Sequence, residues 1–151
     1  MEGINLLDIA VKTGVATTGM SIGDVFKECV KHNVPGIPFC DETGHVLGRI
    51  SMRHAFKSTC IPQNVVDAAH LLGDDLHNIS ISDSLLETVL SLPVDDFVLE
   101  DMAIISAASP ILKALAIMER YNTGYIFLID KGVYGGIVTR MGIAQLMLIY
   151  R

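Results

Sequence analysis

The chain has 151 residues, of which 50% are hydrophobic and 19% charged, so it is too apolar for disorder and long enough to bury a core. A formal net charge of −6, with lysine and arginine scattered singly, argues against nucleic acid or an anionic membrane surface as a partner. The three cysteines lack metal-ligand spacing, and no apolar run approaches the roughly 20 residues of a membrane span, so we expect a soluble, cytoplasmic protein.

The first elements form a unit of strand, helix, hairpin and helix. A short strand is predicted at Val15–Thr17, before an amphipathic helix whose N-cap is Ser21. The apolar run Gly36–Asp41 is typical of a strand covered on both faces, and Val46–Ser51 is predicted to return as its hairpin partner. A last helix is predicted to start near Met52.

A helical connector is predicted at 61–97. Gly73-Asp74-Asp75 separates its two helices, and the second is capped by Ser82 and ended by Pro93. The apolar positions of the two helices are Val65, Val66, Ala69 and Leu72, then Leu85, Leu86, Val89 and Leu90. Because the segment is too apolar for a flexible linker, we expect it to pack on the units or to present a surface to a partner.

The same order of elements follows the connector. A strand is predicted at Ile104–Ser106, and the next helix has Ser109 as N-cap and Pro110 at its first position. The remaining elements are strands at Tyr125–Asp130 and Tyr134–Thr139, and a helix from about Gly142 with Ile143, Leu146, Met147 and Tyr150 on one face.

The chain is therefore a duplication. Gly48-Arg49-Ile50-Ser51 aligns with Gly136-Ile137-Val138-Thr139, and Asn33 aligns with Asn122. One unit alone would bury too little surface, so we expect the two to pack with pseudo-two-fold symmetry and to leave two related clefts, which are default ligand sites. We assign the fold to the α/β (α+β) class, with repeat one at 1–60, the connector at 61–97 and repeat two at 98–151.

This duplicated pattern resembles the cystathionine-β-synthase (CBS) domain family, as a tandem pair or Bateman-type module. The similarity is carried by Val34–Ser51 and, in the same order, by Tyr125–Thr139, and it covers about residues 4–150. The resemblance implies two β-α-β-β-α repeats, a homodimer and a regulatory module without catalysis. It also implies an adenosine-type ligand (AMP, ADP, ATP or S-adenosylmethionine) and a regulated protein partner.

The family's ligand signature is Gly-x-x-[Ser/Thr]-x-x-Asp, in which the hydroxyl contacts phosphate and the carboxylate accepts hydrogen bonds from the ribose. Ser51 and Thr139 fill the hydroxyl position, but His54 and Gly142 stand at the aspartate position. Losing a charged hydrogen-bond partner costs about 1.5–3 kcal/mol, so we expect weakened and unequal binding at the two clefts.

The candidate ligand-binding residues carry alternative interpretations. Ser51 and Thr139 are phosphate contacts or plain helix N-caps, and these two roles are compatible. Three arginines either clamp phosphate or lie on the solvated surface: Arg49, Arg53 and Arg140. Arg140 is the favoured phosphate contact. His54 is either a hydrogen-bond donor to the ligand or a surface residue. Pro38 and Phe127 wall an adenine pocket or belong to the core, and the weak candidates for a base contact are Thr17, Thr18 and Ser106.

A competing hypothesis is a structural dimerisation or docking module with degenerate ligand sites. The two missing aspartates and the apolar connector favour it. An enzyme is not expected, because the sequence shows no nucleophile–base order, phosphate-binding glycine loop or metal-ligand spacing.

Overall fold

The computed structural model describes residues 3–74 and 80–151, so the predicted break at Asp75 lies outside the described residues. The first copy and the connector contain α1 (Ile22–His32), β1 (Gly36–Cys40), β2 (Val46–Ser51), α2 (Met52–Thr59), α3 (Gln63–Asp67) and α4 (Asp83–Ser91). The second copy contains β3 (Ile104–Ile105), α5 (Ile111–Arg120), β4 (Tyr125–Asp130), β5 (Val133–Thr139) and α6 (Arg140–Tyr150). Short 3-10 turns lie at Leu6–Asp8, Ala69–Leu71 and Val94–Phe97. None of the helices within these described ranges has the length and hydropathy to cross a bilayer.

Each copy is built on an antiparallel hairpin, β1–β2 in the first and β4–β5 in the second. The two hairpins shift register at equivalent places, between Phe39 and Cys40 and between Leu128 and Ile129. All five residues of β1 are buried, as the apolar run predicts. The mixed α/β class and the duplicated order of elements are thus confirmed.

The short strands that open the copies differ in length from the prediction. β3 pairs in parallel with β4 but ends at Ile105, one residue short of Ser106. In the first copy the predicted strand is reduced to one parallel bridge between Ala16 and Phe39. After Ala16 the chain turns: the Thr17 amide bonds the Met20 sulfur at 3.3 Å, and the Thr17 carbonyl accepts from the Met20 amide at 3.2 Å.

Helix caps follow the sequence at most termini. Ser21 caps α1 in a capping box with Asp24, and the Ser82 hydroxyl accepts from Leu85 N at 3.1 Å to cap α4. The prediction for α5 is wrong by one residue: Pro110 is the N-cap and lies outside the helix. The Ser109 hydroxyl does not cap the helix and instead pairs with the Ser106 hydroxyl at 2.9 Å.

Two predicted packing faces are smaller than expected. α6 begins at Arg140 and buries only Ile143, while Met147 and Tyr150 are more than half exposed. In the connector, α4 packs against α1 and buries Val89, but α3 buries none of its residues. The connector therefore covers the first copy with its second half alone.

Reciprocal backbone pairing joins the two copies. Arg49 of β2 exchanges two hydrogen bonds with Leu99, at 2.8 and 2.9 Å, and Ile137 of β5 exchanges two with Val11, at the same two lengths. Val94 consequently lies in the core of the first copy and Leu6 in the core of the second, both at 0% exposure. Packing contacts thus extend across residues 60 and 97, where the sequence places the ends of the connector. These boundaries therefore remain predictions.

The glycine that opens each signature is required by this pairing. A Cβ on Gly48 would lie 2.6 Å from the Leu99 carbonyl oxygen. A Cβ on Gly136, whose φ is +144°, would lie 2.9 Å from the Ala10 Cβ and 3.0 Å from the Val11 carbonyl oxygen. Because neither glycine carries a Cβ, the backbone of the other copy can pack directly against both.

We expect Gly48→Ala to lower the free energy of unfolding by about 1–3 kcal/mol, because the added methyl group meets a fixed backbone carbonyl. Gly73→Ala is the matched control, since a Cβ there has no neighbour within 4 Å among the described residues. Urea denaturation measures both variants. Equal stability of the two would contradict the packing role of Gly48.

Candidate functional site

A cavity of about 510 Å³ lies between the copies. One side is formed by the end of β2 and the start of α2, including Ser51, Arg53 and His54. The other side is formed by the loop at 121–125 of the second copy, together with Asp101. The volume falls in the range of ordinary small-molecule sites, and contributions from both copies make it sensitive to their relative position.

The loop at 121–125 reaches the cavity because the chain reverses at Asn122. Its φ of +50° places it in the left-handed region, which asparagine tolerates better than most residues. Asn33, its counterpart, has φ +53° and is the C-cap of α1, whereas Asn122 lies one residue beyond Tyr121, the C-cap of α5. The alignment of the two asparagines in the sequence thus marks equivalent turns, each of which leads into a hairpin.

The first turns of α2 give the cavity a cationic wall. Arg53, His54 and Lys57 all line it, and their spacing places them on one side of the helix. Within residues 3–74 and 80–151, neither Arg53 nor Lys57 takes part in an ion pair. The amide of His54 donates to the buried Ser51 hydroxyl at 3.3 Å, which caps the helix. The positive N-terminal end of α2 and the side chains of Arg53 and Lys57 therefore face the same cavity.

Arg49 is held in place by three hydrogen bonds. Its Nη1 donates to the Tyr125 hydroxyl at 2.9 Å, its Nε to the Asp101 carbonyl oxygen at 2.7 Å, and its Nη2 to Asp101 Oδ2 at 3.2 Å. Burial acts to lower the pKa of Arg49, but Tyr125 and Asp101 outweigh it and raise the pKa. Burial raises the pKa of Tyr125, with Arg49 opposing it. The side chain of Arg49 thus links the two copies through hydrogen bonds.

A smaller cavity of about 30 Å³ shares several residues with the first, among them Arg49, Asp101 and Tyr125. Phe127, which is 1% exposed, and Ala103 add apolar surface to it. The larger cavity is therefore polar and cationic, and the smaller one is bordered by core side chains.

Comparison with known proteins decides the family. The sequence model of the CBS domain matches the chain twice, at residues 14–58 and 94–148. The chain belongs to the CBS domain family. The two matches make it a tandem CBS pair, as the duplicated signature predicts. No curated protein sequence matches the chain.

Solved structures share the fold of this CBS pair at low identity. The CBS domain of a CBS domain-containing membrane protein from Sphaerobacter thermophilus is 21% identical, with a TM-score of 0.67 over 95% of this chain and 87% of that one. CBSX2 in complex with AMP is 17% identical, with a TM-score of 0.67 over 99% and 100%. The CBS domain pair of protein MJ0100, in complex with 5′-methylthioadenosine and S-adenosyl-L-methionine, is 19% identical, with a TM-score of 0.64 over 97% and 98%.

The larger cavity of the CBS pair brings together three predicted site residues, Ser51, Arg53 and His54, and Phe127 borders the smaller cavity. The other candidates are not among the residues that line either of these two cavities: Thr17, Thr18, Pro38, Ser106, Thr139 and Arg140.

Several of those other candidates have structural partners. The Pro38 carbonyl accepts from the Ala16 amide at 2.8 Å, and the Thr139 hydroxyl caps α6 by accepting from Gly142 N at 3.0 Å. Hydrogen bonds from the Gly19 amide and the Thr18 hydroxyl lower the pKa of Asp95. Arg140 Nη2 lies 3.4 Å from Glu119 Oε2 on the exposed surface of the second copy.

Among the cavity residues that the sequence does not predict, three carry the chemistry: Lys57, Asp101 and Tyr125. Lys57 was detectable, because it lies one helical turn after Arg53. Asp101 and Tyr125 belong to the second copy, and no spacing within the first signature points to them. The alignment of Asn33 with Asn122, combined with the expected two-fold packing, was the available signal.

We expect Ser51→Ala to lower the free energy of unfolding by about 1 kcal/mol without any ligand, because it removes the N-cap of α2. Ser58→Ala, an exposed serine later on the same helix, is the control and should change stability less. Thermal or urea denaturation distinguishes the two. A loss no larger than that of the control would mean that the cap contributes nothing to stability.

Proposed function

We propose that this CBS pair is a regulatory module that binds an adenosine-type nucleotide in the cavity between its repeats. The observation that carries the proposal is the cationic wall of α2, with Arg53, Lys57 and the capped helix N-terminus, facing the second copy. Phosphate groups bind such an arrangement through charge-assisted hydrogen bonds and the helix dipole. The neighbours solved with AMP and with S-adenosyl-L-methionine support an adenosyl ligand.

The charges favour a phosphate-bearing ligand over S-adenosylmethionine. Asp101 is the only acidic residue that lines the cavity, and its charge is offset by Arg49 at 3.2 Å. S-adenosylmethionine carries a net positive charge and would therefore be repelled by Arg53 and Lys57, which form no ion pair among the described residues. We infer that AMP, ADP or ATP binds more tightly than the sulfonium compound.

The two clefts differ in the charged side chains that their signatures supply. By the alignment of the repeats, the positions of Arg53 and His54 are held in the second copy by Met141 and Gly142. The second cleft thus lacks the side chains that give the first its charge. Our proposal is that the first cleft is the nucleotide site and that the second contributes little.

Signalling follows from the location of the site. A nucleotide held by α2 of the first copy and by the loop at 121–125 of the second would favour one relative arrangement of the copies. A partner protein that binds one arrangement better would then respond to nucleotide concentration. In this proposal the module performs no chemistry of its own and acts through the partner that it regulates.

We expect Arg53→Ala and Lys57→Ala each to weaken ATP binding by about tenfold or more, the value of one charge-assisted hydrogen bond. Isothermal titration calorimetry with ATP, AMP and S-adenosylmethionine measures the effect. Lys113→Ala on α5 is the control, because it removes an exposed lysine from a helix remote from the cavity lining. Absence of binding by all three ligands, or equal affinity in all variants, would contradict the proposal.

A homodimerisation role is a second candidate, favoured by the exposed apolar surface of α6. Leu148 and Ile149 are 61% and 77% exposed, and Met141 and Met147 are also largely exposed. An unpaired apolar surface of this kind marks an interaction site more often than free surface. The partner most consistent with a tandem CBS pair is a second copy of the chain.

We expect the wild-type protein to be a dimer and Ile149→Glu to shift it to the monomer, because the charge would be buried in the interface. Size-exclusion chromatography with light scattering gives the mass of each. Lys113→Glu, which also places a carboxylate on an exposed helix surface, should leave the dimer intact. A monomeric wild type, or a dimer that survives Ile149→Glu, would exclude α6 as the interface.

A further inference from the structure

A nucleotide in the first cleft needs an acceptor for its sugar. A ribose presents two hydroxyl donors, and a carboxylate suits them because it only accepts hydrogen bonds. The signature position for this group holds His54, which lines the cavity and offers at most one acceptor nitrogen. His54 can therefore accept from at most one of the two ribose hydroxyls, which leaves the other for an acceptor elsewhere in the cavity.

Asp101 is the only carboxylate among the residues that line this cavity. It lies in the segment before β3, beyond the Leu99 pairing, and so comes from outside the signature. Its side chain is 69% exposed, whereas that of Arg49 beside it is 20% exposed. The carboxylate is thus accessible from the cavity while its anchor is largely covered.

Arg49 hydrogen-bonds Asp101 at two points and leaves one carboxylate oxygen of Asp101 able to accept a hydrogen bond. The guanidinium donates to the main-chain carbonyl of Asp101 at 2.7 Å and to Oδ2 at 3.2 Å. Asp101 Oδ1 makes no hydrogen bond within the described parts of the chain. A carboxylate held in this way binds a hydroxyl without first losing side-chain freedom, which is the condition for an effective contact.

We infer that Asp101 accepts the hydrogen bonds of the ribose hydroxyls, in place of the carboxylate that His54 replaces. The inference rests on the proposed function and states which residues contact the phosphate and which contact the sugar of the nucleotide. Phosphate lies against Arg53 and Lys57 on α2, and the sugar lies against Asp101. The first cleft thereby keeps ribose recognition although its signature lacks the aspartate.

Calorimetry with ATP and 2′,3′-dideoxy-ATP tests the assignment, because the second ligand lacks both sugar hydroxyls. The wild type should bind ATP about tenfold or more tightly than the dideoxy analogue. Asp101→Asn should remove this preference by weakening ATP alone. Adding His54→Asp to Asp101→Asn should restore a preference for ATP, since a carboxylate returns at the signature position.

Glu119→Gln is the matched control, because it alters an arginine–carboxylate pair outside the cavity lining and should leave the preference unchanged. Thermal unfolding checks that Asp101→Asn is folded. A preference that persists in Asp101→Asn, or a wild type that binds both nucleotides equally, would overturn the role of Asp101 alone. A wild type that binds neither nucleotide would overturn the proposed function and this inference together.

Discussion

The reciprocal pairing of Arg49 with Leu99 and of Val11 with Ile137 is the constraint on which the rest of the molecule depends. The hairpin of each copy pairs with backbone from the first residues of the other copy, so neither copy reaches its final packing alone. The close approach requires Gly48 and Gly136, which explains on physical grounds why both signatures begin with glycine. Two small units thereby share cores that one unit could not supply.

The candidate site is a consequence of the same pairing. Because Leu99 is fixed beside β2, Asp101 arrives next to Arg49, and Tyr125 closes the contact from the second copy at 2.9 Å. The cavity therefore lies where the copies meet, with charge from α2 on one side and the loop at 121–125 on the other. In the proposed function, a ligand bound there would contact both copies and so favour one arrangement of them.

Local chemistry made much of the fold predictable. The caps at Ser21, Ser51, Ser82 and Thr139 and the two hairpins follow from side-chain hydrogen bonding and continuous apolar runs. The prediction failed at Ser109, whose hydroxyl pairs with the nearby Ser106 hydroxyl, and at α6, which leaves most of its apolar residues exposed. Of the residues that line the cavity, Ser51, Arg53 and His54 are predicted from the signature region, whereas Asp101 and Tyr125 come from segments that only the packing of the copies brings near. Arg140, favoured from sequence, instead pairs with Glu119.

A crystal structure of the protein grown with AMP tests the nucleotide site most directly. We expect nucleotide density in the cavity between α2 and the loop at 121–125, with phosphate oxygens within hydrogen-bond distance of Arg53 or Lys57. Density beside Thr139 and Gly142 alone, or a cavity that holds only solvent at saturating AMP, would contradict this expectation.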